Sequence, residues 1–131
     1  MVKLWFRLAL ILSGISVILL IAVRFTHIPR GDAAHGAVLY AGASSPYLPC
    51  IQCHEYPSLA PPMDHLVERV RQVRLADPAI AGETLDQYLA ESILSPDRYI
   101  APGYAAGGMP SYRSRLSETQ LQDLVAFLMT L

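Results

Sequence analysis

The chain has 131 residues, of which 53% are hydrophobic, and its formal net charge is −1. This length fits one small domain, and the hydrophobic fraction is high for a soluble protein. Residues 31–131 hold six arginines against eleven acidic residues, a formal charge of −5. Such a balance offers no basic stripe of the kind that nucleic-acid binding requires, so nucleic acid is excluded as a partner.

A run without charge, Leu8 to Val23, lies near the N-terminus and reads LALILSGISVILLIAV. At ~1.5 Å rise per residue it covers about 24 Å of helix, and Lys3, Arg7 and Arg24 can reach towards the edges of a hydrocarbon core about 30 Å thick. A cleaved signal peptide begins in the same way, but no small-residue cleavage site follows this run directly. We therefore predict a retained membrane anchor over residues 1–26, with a cleaved signal peptide as the alternative.

Residues 27–31 are predicted to be a linker, because a proline and a glycine end the apolar run. Asp32 then provides the N-cap of a short helix that ends before Gly42. Pro61-Pro62 opens a second helical pattern, which Asp77-Pro78 closes. Its apolar face is predicted from helical spacing and comprises Met63, Leu66, Val70 and Val73.

Capping boxes mark the last two helices. Thr84-x-x-Gln87 precedes a helix that ends before Pro96, with the apolar face Leu85, Tyr88, Leu89 and Ile93. Ser117-x-x-Gln120 precedes a helix with the apolar residues Leu121, Leu124, Val125 and Leu128. Between these helices, residues 101–110 hold three glycines and two prolines and are predicted to form a shaped loop. No segment alternates as a strand does, so residues 32–131 are predicted to form one small all-α domain.

The chain has two cysteines, which lie three positions apart in Cys50-Ile51-Gln52-Cys53-His54. A thioredoxin-type redox pair needs a neighbouring βαβ pattern and a zinc site needs a second pair of ligands, and neither accompanies this motif. Covalent haem attachment needs only C-x-x-C-H. In one helical turn the side chains at i and i+3 point the same way, so both sulfurs can bond to the vinyl groups at one porphyrin edge. We predict one covalent haem c, attached through Cys50 and Cys53 with His54 as the proximal iron ligand; an incidental thiol pair is the alternative.

A hexacoordinate iron needs a second axial ligand, and Met109 is the best candidate. It lies in the glycine-rich loop, where the backbone can approach a porphyrin face, and Pro110 stiffens the exit. Met63 fits better on the apolar face of the second helix. His35 and His65 are the alternatives, because histidine also serves as a haem ligand, although each is more simply explained as a solvated helix residue.

With these residues in place, residues 32–131 resemble a class I mono-haem cytochrome c. The features that match beyond the haem motif are Gly36-x-x-x-Tyr40, Pro57-Ser58-Leu59, Met109-Pro110 and the terminal Leu116–Leu128. The resemblance implies that the first and last helices cross closely at Gly36, against Phe127 or a neighbour. It also implies that a proline carbonyl, matched here to Pro57 with Pro61 nearby, accepts the second ring proton of the proximal histidine.

The segment Ser95–Pro110, SPDRYIAPGYAAGGMP, narrows this resemblance. It is similar to the mono-haem subunits of alternative complex III and to the cytochrome domains fused to subunit II of haem-copper oxidases. Together with Pro57, Tyr99 of this segment is expected to contact the haem.

The resemblance implies one-electron transfer without catalysis, because two axial ligands saturate the iron. Haem of this kind is attached on the outer side of an energy-transducing membrane. We therefore expect a single-pass protein of a bacterial cytoplasmic membrane, with its N-terminus inside and its haem domain on the periplasmic face. Its expected partners are redox proteins or other subunits of a respiratory or photosynthetic complex. The alternatives are a sensor or peroxidase-like protein with an open sixth position, and a structural subunit whose haem staples the fold.

Overall fold

The computed structural model describes residues 31–42, 50–80 and 82–131. These ranges fold into helices, turns and loops, with no strand among them. The predicted anchor over residues 1–26 and all but the last residue of the predicted linker lie outside the described residues. Within the described ranges, no helix has the length and hydropathy needed to cross a membrane.

The helical elements follow one another along the chain with short connections. The α-helices are α1 Ala33–Tyr40, α2 Cys50–His54, α3 Leu66–Arg69, α4 Leu85–Leu94 and α5 Glu118–Leu128. A π-helical segment, Val70–Arg74, continues α3 directly. Two 3-10 turns flank α4: Pro78–Ile80 precedes it and Pro96–Arg98 follows it. Residues 101–110 contain turns and extended backbone, as predicted for the glycine-rich loop.

The predicted starts of the first helix and of the last two helices are confirmed. The Asp32 carboxylate accepts hydrogen bonds from the first N–H groups of α1, at 2.9 Å from Ala34 N. Both predicted capping boxes form, since the side chains of Gln87 and Gln120 each accept from the backbone N–H of the N-cap residue at 2.9 Å. These bonds satisfy N–H groups that have no partner inside the helix.

The predicted start of the second helix is wrong. The helix begins after His65 rather than at Pro61-Pro62, because His65 has a φ of 51° and a left-handed backbone cannot continue a right-handed helix. Beyond it, Leu75 N–H donates to the carbonyl of Val70 at 2.9 Å, a bond that spans five residues. This wider π-helical turn shifts the residues that follow around the helix axis. Val73, predicted to be core, is therefore 53% exposed.

The first and last helices of the described chain cross at a glycine. A Cβ atom added to Gly36 would clash with the backbone carbonyl of Asp123 and lie 2.8 Å from the Cβ of Phe127. The rings of Tyr40 and Phe127 pack beside this crossing with their centroids 5.4 Å apart. The expected close approach at Gly36 is confirmed, and only glycine has the small volume that this distance allows.

One hydrophobic core joins α1, the π-helical segment, α4 and α5. Its buried members are Leu39, Tyr40, Val70, Leu85, Leu89, Ile93, Tyr112, Leu124 and Leu128. Cys50 of α2 and Met109 of the glycine-rich loop pack against this same core from two separate segments. Both regions that the sequence assigned to one site therefore contact this core.

Candidate functional site

The C-x-x-C-H segment forms a single helical turn, α2, as its spacing predicted. Because residues at i and i+3 lie on one side of a helix, Cys50 and Cys53 point in similar directions. Cys50 is half-buried and Cys53 is exposed. Burial, followed by the nearby Cys53, raises the pKa of the Cys50 thiol. The pair therefore lies at the surface edge of the core, where a bound group could contact both sulfurs.

Two core tyrosines lie close to Cys50. Burial first, and then the charge of the Cys50 thiolate, raises the pKa of Tyr40 to about 12. The same two causes raise the pKa of Tyr112. Both phenols are therefore neutral at physiological pH, and the protein wall next to Cys50 carries no charge from them.

His54, the last residue of α2, is held in one tautomer by the backbone. Its Nδ1 lies 2.7 Å from the carbonyl oxygen of Pro61. A carbonyl only accepts hydrogen bonds, so Nδ1 carries the proton and Nε2 keeps its lone pair. Burial lowers the pKa of His54, and the bond to Pro61 partly opposes this effect. The ring is thus arranged as in histidines that bind a metal through Nε2 and donate through Nδ1.

The carbonyl that pairs with His54 is that of Pro61, which corrects the expectation of Pro57. After α2 the chain turns tightly, with Leu59 N–H donating to the carbonyl of Tyr56 at 2.8 Å. After this turn, the backbone carbonyl that reaches the His54 ring is that of Pro61. The Pro57 carbonyl accepts instead from the hydroxyl of Tyr104 at 2.8 Å. A contact between Pro57 and a cofactor stays a prediction.

An arginine orders the segment next to the Pro61 carbonyl, the acceptor of the His54 hydrogen bond. The Arg69 guanidinium of α3 donates to the carbonyl of Pro62 and lies 3.5 Å from the carboxylate of Asp64. Sequence reasoning missed Arg69, because its partners belong to a stretch that was predicted to be helical. The bond orders the chain around the peptide that His54 contacts.

An open cavity lies beside His54. Its volume is about 480 Å³, which falls within the ~300–1,000 Å³ typical of small-molecule sites. The lining is mostly apolar and includes Tyr40, Ile51, His54, Pro57, Met63 and Phe127. Met63 was assigned to a helix face and lies before α3 instead. It is the methionine that lines this cavity, and Met109 is not among the lining residues. His65, one of the alternative ligands, also lines this cavity.

Met109 is half-buried against the core, at the end of a loop with fixed geometry. Gly103 and Gly107 have φ values of 90° and 75°, which side-chain-bearing residues rarely adopt. The Gly107 N–H donates to the Asp97 carboxylate at 2.7 Å. The loop that was predicted from its glycines therefore holds Met109 at the core.

Tyr99 lies apart from the cavity beside His54. Its hydroxyl donates to Asp77 at 3.1 Å, and its ring meets that of Tyr88 edge-on at 6.1 Å. Burial, with the Asp77 carboxylate next, raises the pKa of Tyr99. Tyr99 lines a different and much smaller cavity, of about 10 Å³, together with residues of α4. Its expected contact with a haem stays a prediction.

His35 has a structural partner that sequence reasoning missed. Its Nδ1 lies 2.7 Å from Oδ2 of Asp123, a buried residue of α5. Oδ1 of the same carboxylate accepts from the backbone N–H of Asp32 at 2.6 Å. The burial of the Asp123 carboxylate is the signal for this contact, and it is visible only once the helices are packed together.

The donor set fits a haem better than an isolated metal ion. The described ranges contain no cluster of three or more His, Cys, Asp or Glu side chains that could hold a metal ion by themselves. Two sulfurs on one helical turn, an oriented imidazole and a thioether are the groups that covalent haem uses. Comparisons of this chain with known protein families, curated proteins and solved structures find no match.

Proposed function

We propose that this chain is a membrane-anchored mono-haem c-type cytochrome that transfers single electrons. The observation that carries this proposal is the geometry of α2, where Cys50 and Cys53 share one side of a turn. Directly after them, His54 donates to Pro61 and keeps its Nε2 lone pair for a ligand. When bound, haem supplies an iron that alternates between the ferric and ferrous states.

The residues of the chain have distinct roles in this proposal. Cys50 and Cys53 would hold the haem covalently, and His54 and Met109 would be its two axial iron ligands. The hydrogen bond to Pro61 fixes the plane of the His54 ring and raises the basicity of Nε2 as a metal ligand. A thioether such as that of Met109 favours the reduced state and therefore a high potential. With both positions filled by side chains, the chain itself binds no substrate at the iron.

The exposed side of the site supports electron exchange with a partner. Cys53 is exposed, and next to α2 the side chains of Tyr56 and Leu59 are 56% and 63% exposed. Large apolar side chains at the surface are typical of contacts with other proteins. We propose that redox proteins or other subunits of a respiratory or photosynthetic complex dock here, on the periplasmic side of a bacterial cytoplasmic membrane.

The first test is the optical spectrum of the purified full-length protein in detergent, oxidised and reduced. Ferric haem with a methionine ligand has a weak near-infrared band from sulfur-to-iron charge transfer. We expect this band in the wild type and in Met63→Ala, and its loss in Met109→Ala. Met63 is the matched control, because it is a methionine that lines the cavity beside His54.

Each other outcome supports a different ligand or function for this protein. Loss of the band in Met63→Ala alone would move the axial ligand to Met63. A high-spin ferric spectrum in the wild type would favour the sensor or peroxidase-like alternative, whose sixth position is open. A purified protein without covalently bound haem would overturn the proposed function.

A further inference from the structure

Hydrogen bonds attach the loop that carries Met109 at its centre and towards its C-terminal end. Near the loop's C-terminal end, Ser111 Oγ donates to the carbonyl of Leu94 at 2.6 Å, and Gly107 N–H donates to Asp97 at 2.7 Å. Leu94 and Asp97 belong to the end of α4 and the 3-10 turn behind it. These two bonds therefore fix the loop to the segment that directly precedes it.

The Tyr104 hydrogen bond makes a different connection. Its hydroxyl donates to the carbonyl of Pro57 at 2.8 Å, across 47 residues of sequence. Pro57 follows His54 by three residues, and Tyr104 precedes Met109 by five. The bond thus joins the two segments that carry the two proposed axial ligands.

The loop has open space on either side of Tyr104. A Cβ atom added at Gly103 or Gly107, on either side of Tyr104, would have no neighbour within 4 Å. Both glycines have positive φ, so each is a point where the backbone can change conformation at low cost. Movement of residues 103–107 away from the segment after His54 would have to break the bond between Tyr104 and Pro57.

We propose that Tyr104 is a positioning residue that retains Met109 as an axial ligand, by tying its loop to the segment after the haem motif. This inference rests on the proposed function. The bond lies at the surface, so its net contribution is that of an ordinary neutral hydrogen bond. Its loss is expected to favour the open loop by about two- to tenfold.

The test is a titration of the ferric, haem-loaded, full-length protein with imidazole, followed by its optical spectrum. Imidazole binds only when Met109 has left the iron, so its apparent affinity reports the population of the open loop. We expect Tyr104→Phe to bind imidazole about two to ten times more tightly than the wild type. The matched control is Tyr88→Phe on α4, since the Tyr88 hydroxyl has no partner among the described residues, and its affinity should equal that of the wild type.

Two results would overturn the role of Tyr104 alone. Equal imidazole affinity in Tyr104→Phe and the wild type is the first, and an equal gain in Tyr104→Phe and Tyr88→Phe is the second. A purely structural role would lower the thermal unfolding midpoint of Tyr104→Phe without changing its imidazole affinity, which is an instance of the first result.

A failure of the underlying proposal gives a different pattern. Without covalent haem in the wild type, the proposed function and the role of Tyr104 fail together. If Met109→Ala binds imidazole no more tightly than the wild type, Met109 is not the axial ligand and Tyr104 has no ligand to retain.

Discussion

Asp123 is the one buried acid of the described core, and it joins two helices that are far apart in sequence. Its side chain is 4% exposed, and its two oxygens accept from Asp32 N–H and from Nδ1 of His35. The hydrogen bond from His35 first, and then that from the Asp32 backbone, lowers the pKa of Asp123. A buried carboxylate with both oxygens bonded is a specific link, because removal of its charge leaves donors without an equal partner.

The lowered pKa predicts how stability depends on pH. A carboxyl group with a lower pKa in the folded state stabilises the fold above its unfolded-state pKa, and this contribution is lost as the pH falls through the folded-state pKa. We expect Asp123→Asn to lower the thermal unfolding midpoint at neutral pH. The difference from the wild type should shrink in acid, at pH about 3 and below. Circular dichroism melts across this range measure both effects.

Glu68→Gln is the control for Asp123→Asn. Glu68 is an exposed acid on α3 whose carboxylate accepts from Gln72 at 2.9 Å, within the same helical segment. Its replacement should change the midpoint little at any pH, because exposed pairs contribute little to stability. A constant difference between Asp123→Asn and the wild type from neutral to acid pH would contradict the proposed charge effect.

At the scale of elements, the crossing of α1 and α5 depends on Gly36. We expect Gly36→Ala to force the two helices apart, because the new methyl group would meet the Asp123 carbonyl, which is backbone and cannot rotate away. Overpacking of this kind costs about 1–3 kcal/mol of unfolding free energy. Denaturant unfolding measures it, provided that both proteins unfold in one cooperative step.

Gly108→Ala controls for the general effect of replacing a glycine by alanine. A Cβ atom there would lie 3.5 Å from the carbonyl of Ala105, an ordinary contact distance. The unfolding free energy of Gly108→Ala should therefore stay within about 0.5 kcal/mol of the wild type. Equal losses in both variants would show that the Gly36 crossing has no special role.

The features that could be predicted from the sequence are those written within about one helical turn. The caps at Asp32, Thr84 and Ser117 each involve atoms at most three residues apart, and the spacing of Cys50 and Cys53 is also local. For such features, side-chain chemistry and backbone geometry fix the outcome before tertiary packing acts.

The features that sequence reasoning missed depend on contacts or on backbone choices that no local pattern reveals. Asp123 meets its partners across 88 and 91 residues. The π-helical bond from Leu75 to Val70 changes the helix period, and the apolar spacing that predicted a buried Val73 assumed a constant period. The choice of Pro61 over Pro57 likewise depends on the turn after α2, which two nearby prolines left open.

At the scale of the whole molecule, the proposed anchor determines where the protein is found. Leu8 to Val23 carries no charge and is long enough for most of a hydrocarbon core. We expect the full-length protein to stay in the membrane fraction after high-salt and alkaline carbonate washes, and to be released by detergent. A protein that such washes release, with a mature N-terminus after residue 26, would instead support the cleaved signal peptide.

The described domain has few fully enclosed side chains, and this bears on what haem does for the fold. Among the largest buried side chains only that of Val70 is almost completely enclosed, and the cavity beside His54 opens to solvent. Small domains bury a limited fraction of their surface, so an added rigid group can supply a large part of their stability. A covalent haem in contact with this core would act as a staple as well as a redox centre.

We therefore expect the domain to be destabilised when its haem attachment sites are removed. We expect the double variant Cys50→Ala, Cys53→Ala to lose all chromophore that resists acid-acetone extraction, and to melt well below the wild type in circular dichroism. Gln52→Ala is the control, because Gln52 is an exposed residue of the same helical turn and both sulfurs remain. If the double variant loses its haem but melts with the wild type, the core of α1, α4 and α5 stabilises the fold alone, and the attached group serves electron transfer only.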